Sequence, residues 1–520
     1  MCGIWLTLQS GNEEAFWSMK SRGPDASALY VEDGFRLGFH RLAIHDTSIM
    51  GMQPFTMADD KSNYFLLCNG EIYNHLELLE HGYTRRSASD CEILLPLFLH
   101  LNKDMNLFLK AVHGEFSVIL IEQDRSTKKL VSCWAASDPM GVRPLFYSVD
   151  SEGRLTGMSS LVKGLSSLET VIRHDPATWL FYSENTKLVV VHGIPDRRGV
   201  NIPIAIHDQQ KMMLSTLREA VVTRLHADRP LGCLLSGGLD SSLVAAMAAR
   251  ELRKSDQVLR TFSIGMKEAT DLHYARLVSR HIGSEHTEFI ITEEEAWEAV
   301  REVIRDTETH DITTIRASVP QWLLGKKIRE QTDIRVVLNG DGADECMMGY
   351  LYFHKAPSFA EAIQERDRLL SDIHLFDGLR ADRCMSCHGL EPRMPYLDSR
   401  FVSFCRTIDG ERLVPTSRRQ EKNFIREAVH KHTPDLLPLD VLWRKKEAFS
   451  DGISPLRRSW FQILQDRIHM MDPDLTEKIY FENLFLKYFP NHQSIIPYHW
   501  MPRWTTTTDP SARTLDIYNL

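Results

Sequence analysis

The segment Leu231-Gly232-Cys233-Leu234-Leu235, followed at once by Ser236-Gly237-Gly238-Leu239-Asp240-Ser241-Ser242, constrains the fold more than any other part of this chain. An apolar run that breaks at two glycines and resumes with small polar residues reads as a strand, a tight turn and a helix beginning near Ser241. Adjacent glycines let backbone approach a ligand closely, and a helix start aims unpaired amides and a positive dipole end at the same point. Such a turn is a seat for pyrophosphate, to which Ser236, Ser241 and Ser242 add hydroxyl donors. Asp240 repels phosphate unless a cation such as Mg2+ lies between them. The turn lacks the lysine of a G-x-x-x-x-G-K-[ST] loop, so it is not of that type. An ordinary strand-to-helix turn capped by serine is the structural alternative.

From about residue 210 to 345, strand-like runs alternate with segments of helical period. Leu231 to Leu235 precedes Leu243 to Lys254, and Leu259 to Met266 precedes His273 to Ile282. Thr287 to Ile291 precedes Glu293 to Glu308 and Ser318 to Thr332, and Ile334 to Leu338 closes the series. This alternation predicts an α/β parallel sheet covered by helices, with ligands beyond the carboxyl ends of the strands, where the turns at Gly237 and Gly340 fall. Before residue 195, short runs at Phe35 to Ile44, Tyr64 to Cys68, Phe116 to Ile121 and Leu130 to Trp134 predict antiparallel pairing, with a helix near Cys91 to Leu101. The expected organisation is a domain over 2–195, a linker over 196–212 marked by Pro195 to Gly199 and by Pro203, and a second domain over 213–520. Its part beyond residue 350 reads as mainly helical, with an irregular tail near Thr505 to Asp509.

A net charge of -9, with no block of five or six basic residues, argues against nucleic acid as the main partner. The nine cysteines are scattered through 520 residues, which fits reduced thiols in the cytoplasm. No apolar run approaches the roughly 18 residues that cross a bilayer, so no membrane role is expected. Cys384-Met385-Ser386-Cys387-His388 spells a haem-attachment pattern, but covalent haem attachment belongs to exported proteins, and a zinc site would need a second such pair, so cysteines lining a helix are the expected reading.

Cys2-Gly3 follows the initiator methionine, and removal of Met1 would give Cys2 a free amine. An α-amino group with a pKa of about 7.7 to 8.0 can take the proton of its own residue's thiol at physiological pH. Arg22-Gly23-Pro24-Asp25, Gly38-Phe39-His40-Arg41-Leu42, Cys68-Asn69-Gly70-Glu71-Ile72-Tyr73-Asn74 and Ser89-Asp90-Cys91-Glu92 resemble, in order and spacing, the glutaminase domain of class II amidotransferases. With the turn at Ser236 to Ser242, the run Glu308 to Ser318, the run Gly349 to Pro357 and the run Trp443 to Gly452, nearly the whole chain resembles glutamine-hydrolysing asparagine synthetases.

The resemblance implies an N-terminal nucleophile domain of αββα layering, followed by a pyrophosphate-loop domain with a helical C-terminal part. It implies that Cys2 attacks the glutamine amide while the Asn69 side chain and Gly70 amide form the oxyanion hole. Arg41 would hold the α-carboxylate of glutamine, and Glu71 and Asp90 its amine; a guanidinium fork suits a carboxylate and paired acids suit an ammonium. In the second domain Leu234 and Ile264 would flank adenine, and Ser236, Gly237, Gly238, Asp240, Ser241 and Ser242, with Asn339, Gly340 and Lys446, would hold the phosphates. Asp240 and Asp344 would bind Mg2+ brought with ATP, Thr313, Thr314 and Arg316 would bind aspartate, and Asp341 would assist attack by ammonia, which travels between the sites. A homodimer is implied by the same analogy.

The family turn Ser-Gly-Glu-Gly-Ser-Asp-Glu stands here as Asn339-Gly340-Asp341-Gly342-Ala343-Asp344-Glu345, so its first acid is one methylene shorter. Ser21, Ser137 and Leu161 also depart from the family's His, Arg and Glu. Other readings are a glutaminase or regulatory homologue with weakened synthesis, and a related amidotransferase that activates another carboxylate. tRNA thiolation through Cys384 and Cys387 is opposed by the acidic charge.

Overall fold

The computed structural model describes residues 1–8, 13–32, 34–78, 83–168, 170–194, 206–455 and 457–516. The chain forms two compact units. The first comprises Met1–Asp196 with Ser386–Glu391 and Phe489–Ile495, and the second Arg197–Met385, Pro392–Tyr488 and Ile496–Leu520. Residues 196–205 of the expected linker lie outside the described residues. Residues 206–212 are not linker but the first turns of the helix Ile206–Thr223, whose Met213, Leu214 and Leu217 are buried.

The described residues of the first unit hold twelve strands: β1 Gly3–Thr7, β2 Ala26–Glu32, β3 Phe35–Arg41, β4 Phe55–Ala58, β5 Ser62–Ile72, β6 Gly114–Asp124, β7 Leu130–Ser137, β8 Phe146–Val149, β9 Leu155–Ser159, β10 Thr170–Arg173, β11 Thr178–Ser183 and β12 Val189–Gly193. They make two six-stranded sheets, ordered β10-β8-β9-β1-β3-β2 and β12-β11-β7-β6-β5-β4, with antiparallel pairing. Alternation along each strand assigns the faces. Ile4 and Leu6 of β1 share one core with Phe65 and Leu67 of β5 and Ile119 and Ile121 of β6, so the sheets face each other there. Leu66 and Cys68 point the other way, onto Leu94, Phe98 and Phe108 of the helices Leu94–His100 and Met105–Ala111. Trp5 turns from its sheet onto Phe16 of the helix Glu13–Trp17. The layering is thus helix, sheet, sheet, helix, as the αββα expectation has it.

His174, just past β10, is 3 % exposed, with Nδ1 3.3 Å from Ser137 Oγ and no partner at Nε2. Burial pushes its pKa down to about 4 from 6.5, so it folds neutral. Its stabilising contribution is complete above pH 6.5 and is lost as pH falls towards 4. Burial also raises nearby Asp138 to about 6, which acts in the opposite sense as it protonates. His174→Gln should therefore gain stability relative to the parent chain between pH 7.5 and pH 4.5, by up to about 3 kcal/mol. Urea denaturation at the two pH values measures the difference, and an unchanged difference would refute it.

In the second unit β13 Leu231–Leu234, β14 Arg260–Met266, β15 Glu285–Ile291, β16 Val336–Leu338 and β17 Glu391–Arg393 form one sheet ordered β15-β14-β13-β16-β17. β13 pairs in parallel with both β14 and β16, and β14 with β15, as the alternating pattern predicts. The 20-residue helix Ile312–Gln331 is buried along most of its length, which explains its lack of a polar stripe. Asp311 caps it by accepting the Thr314 amide at 2.8 Å. Beyond residue 350 helices predominate, among them Phe359–Ser371, Asp377–Ser386, Asn423–His432, Trp460–Met471 and Glu477–Tyr488. Cys384 is buried in the last turn of one of them, with Sγ 3.6 Å from the Ser318 carbonyl oxygen. Among the described residues no helix is long and apolar enough to cross a membrane.

Candidate active sites

Strand parity brings Cys2 and Asn69 together. Cys2 continues the Ile4–Leu6 face of β1, and Asn69 continues the Phe65–Leu67 face of β5, so both point into the space between the sheets. The Cys2 amide donates to Asn69 Oδ1 at 2.9 Å. The buried Arg22 of the Arg-Gly-Pro-Asp motif donates through Nε to the Cys2 carbonyl oxygen at 3.0 Å. With Oδ1 committed to Cys2, the Asn69 amide group has one orientation, and its buried Nδ2 has no hydrogen-bond partner. An unsatisfied buried donor beside a thiol is costly unless a developing oxyanion accepts from it. Gly70 is demanded by close approach of β6, since a Cβ there would lie 2.1 Å from the Glu115 carbonyl oxygen and 2.5 Å from Phe116 Cα.

Burial pushes the Cys2 thiol up to about 11, against the lowering effect of the positive chain terminus. A thiol in that state needs a base. Arg41 is buried beneath the turn Ile49–Gly51 and donates to the carbonyl oxygens of Asp46 and Ser48. Glu71 Oε2 lies 3.0 Å from His45 Nε2, a neighbour that no motif signalled. Asp90 Oδ2 accepts the Ile72 amide at 2.6 Å, which brings the two acids to the same end of β5. Asn69→Ala should leave the sheet pairing intact and lower glutamine hydrolysis by about 10²–10³ in kcat. A loss confined to KM would remove the oxyanion role.

In the second unit a cavity of about 220 Å³ opens at the carboxyl ends of β13 and β16. The helix that follows β13 is Leu239–Leu252, two residues earlier than its sequence suggests, because Gly238 rather than a serine precedes it; no side chain caps its first turn. Gly237 needs its φ of +75°, and a Cβ there would strike the Ala275 amide nitrogen at 2.4 Å. Gly340 brings the second turn against the first, where a Cβ would lie 2.7 Å from the Ser241 amide nitrogen. Ser236, Gly238, Asp240 and Ser241 line the cavity, with Leu234 and Ile264 at its apolar side. Asn339, Gly340, Asp341 and Asp344 line it from the second turn, and Thr313, Thr314 and Lys446 from elsewhere. Thr313 Oγ1 is buried without a partner. Gly237 and Ser242 lie behind this wall.

Arg316 is not on the wall. It is 3 % exposed, and Glu477 and Asp509 each take it with two hydrogen bonds between 2.5 and 2.9 Å, so its fork is spent within the protein. Arg380, Arg426 and Arg444 do line the cavity, and Arg380, which sequence reasoning missed, faces the second turn. It donates to Asp341 Oδ1 at 2.8 Å, to Asp377 Oδ1 at 2.7 Å and to Gln321 Oε1 at 2.9 Å. Burial raises the Asp341 carboxyl, and Arg380 opposes that rise. Lys422, also unforeseen, contacts both Asp240 and Asp344, while Lys446 Nζ lies 2.6 Å from Asp344 Oδ2. Burial alone would raise the Asp344 carboxyl; Lys422 and Lys446 outweigh it and hold the group far below the usual range.

Together these features place a thiol between two antiparallel sheets and a lysine-bearing cavity at the end of a parallel sheet, the arrangement expected of a two-site amidotransferase. A glutamine amidotransferase domain is matched over residues 1–187, and asparagine synthase over residues 212–369 and 360–514. The glutamine-hydrolysing asparagine synthetase of Gallus gallus is 40 % identical over 570 aligned positions that span 100 % of this chain and 99 % of that one. Those of Bos taurus and Homo sapiens are 39 % and 38 % identical, each over 100 % of this chain and 99 % of theirs. The chain belongs to the glutamine-hydrolysing asparagine synthetase family.

Proposed function

We propose that this protein makes asparagine from aspartate and Mg-ATP with nitrogen from glutamine, releasing glutamate, AMP and pyrophosphate. Membership of the family supports the overall reaction, and the unpartnered Asn69 Nδ2 beside Cys2 carries the reading of the first site. The Cys2 thiol, its proton passed to the α-amine exposed by loss of Met1, attacks the amide carbon of glutamine. Asn69 Nδ2 and the Gly70 amide stabilise the oxyanion, ammonia leaves, and water hydrolyses the thioester to glutamate. Arg41 takes the substrate carboxylate, and Glu71 and Asp90 its ammonium.

In the cavity, Leu234 and Ile264 border the base, and the helix start at Leu239, with Ser236, Ser241 and Lys446, receives the phosphates. An aspartate side-chain oxygen attacks the α-phosphorus and pyrophosphate departs. Ammonia then attacks the acyl carbon, a C–N bond forms, and AMP leaves with the carboxyl oxygen. Thr313 and Thr314 border the amino acid, with Thr313 Oγ1 as a free donor. The aspartate role expected of Arg316 is withdrawn from this proposal, because its guanidinium is already saturated. A cytoplasmic location and a homodimer belong to the same reading.

Purified protein lacking Met1, supplied with aspartate and Mg-ATP, should form asparagine and AMP in equal amounts from either glutamine or ammonium. Glutamine hydrolysis with no asparagine or AMP would reduce the function to a glutaminase. AMP formation only with a different acid would point to another acceptor carboxylate.

A further inference from the structure

The Asp240 and Asp344 carboxylates, to which the family resemblance gives a divalent metal, are bridged by an ammonium. Lys422 Nζ lies 2.5 Å from Asp240 Oδ2 and 2.6 Å from Asp344 Oδ1, and Lys446 Nζ lies 2.6 Å from Asp344 Oδ2. The place for Lys422 is built. Its side chain is 1 % exposed. At Gly349 a Cβ would stand 2.1 Å from Lys422 Cε and 2.2 Å from Asp344 Oδ1, so glycine keeps that path open. Lys422 itself takes φ +57°, which a non-glycine residue keeps only where its surroundings enforce it.

Two carboxylates face two ammoniums, and their charges balance. Among the described residues no group of three or more His, Cys, Asp or Glu is placed to hold a metal ion. A divalent ion that keeps most of its water still needs the negative charge of its one or two protein carboxylates. Here that charge is already neutralised, so the residues do not fit a resident ion.

We propose that Lys422 is the built-in counter-ion of the Asp240–Asp344 pair, so that free divalent cation does not bind there. Metal then enters this site only as part of the nucleotide complex; this last step rests on the proposed use of Mg-ATP, whereas the test below uses no nucleotide. The full chain is titrated with Mn2+ alone, followed by the paramagnetic resonance of free Mn2+ and by thermal melting with and without the ion. The parent chain should show no Mn2+ site sensitive to Asp240→Asn. Lys422→Met keeps the unbranched stem of the side chain and removes the charged terminus, and should bind Mn2+ more than about tenfold tighter than the parent. Its melting temperature should also rise with Mn2+ while that of the parent does not. Lys422→Arg keeps the charge and should behave as the parent. Equal Mn2+ affinity in parent and Lys422→Met would overturn the proposal. So would a Mn2+ site in the parent that Asp240→Asn abolishes, a result that needs no folded Lys422 variant.

Discussion

Cys2→Ala should abolish glutamine hydrolysis and glutamine-driven asparagine formation, by on the order of 10⁴-fold or more, because it removes the thiol proposed to form the acyl intermediate. Synthesis from ammonium should be unchanged, since every residue proposed for the nucleotide and aspartate lies in the second unit. Folding should be unaffected, for the thiol's one side-chain hydrogen bond is to the Leu42 carbonyl oxygen at 3.8 Å. An uncleaved extension before Cys2 should give the same loss for another reason. With the thiol pushed up to about 11, only about one part in 10⁴ is thiolate at pH 7, and the chain then has no adjacent amine to take the proton. Both proteins are assayed with each nitrogen source. Loss of the ammonium-driven reaction in Cys2→Ala, or glutamine hydrolysis by the extended chain, would contradict this account.

The parts of this molecule that were legible in its sequence are those written in local pattern. The parity of Cys2, Ile4 and Leu6 against Phe65, Leu67 and Asn69 follows from two-residue alternation, and the turns at Gly237 and Gly340 follow from glycine at strand ends. What the sequence hid is partnership across long separations. Arg316 sits in a motif that suggests a substrate carboxylate, but its carboxylates come from Glu477, 161 residues away, and Asp509, 193 away. Lys422 lies in a polar run with no pattern to single it out, and reaches Asp240 across 182 residues. Arg380 is one of two arginines on an amphipathic helix, and only the fold turns it towards Asp341. Local chemistry named the loops; the charges that balance them are tertiary.

That balance bears most directly on the second turn, where two departures from the family pattern, Asn339 and Asp341, are bonded to each other. Asn339 Nδ2 donates to Asp341 Oδ2 at 3.1 Å, and the Asp341 amide donates to Asn339 Oδ1 at 3.2 Å. With Arg380 on Oδ1, both oxygens of Asp341 are held while the residue still lines the cavity. If Asp341 assists attack by ammonia as the resemblance implies, Asp341→Ala should lower asparagine formation from either nitrogen source by on the order of 10²–10⁴, the usual range for general acid–base assistance, and leave glutamine hydrolysis intact.

Restoring the family residues one at a time should harm rather than help. Asn339→Ser removes the donor to Oδ2, and Asp341→Glu pushes the longer carboxylate past the Asn339 amide, so each alone should cost about tenfold in kcat, a displacement effect. The double variant, which carries the family pattern at both positions, should recover most of that loss, because residues in direct contact are not additive. Steady-state rates with saturating ammonium, measured for the parent, both singles and the double, give the coupling directly. Additive losses would show that the two departures are independent and that Asn339 does not position Asp341.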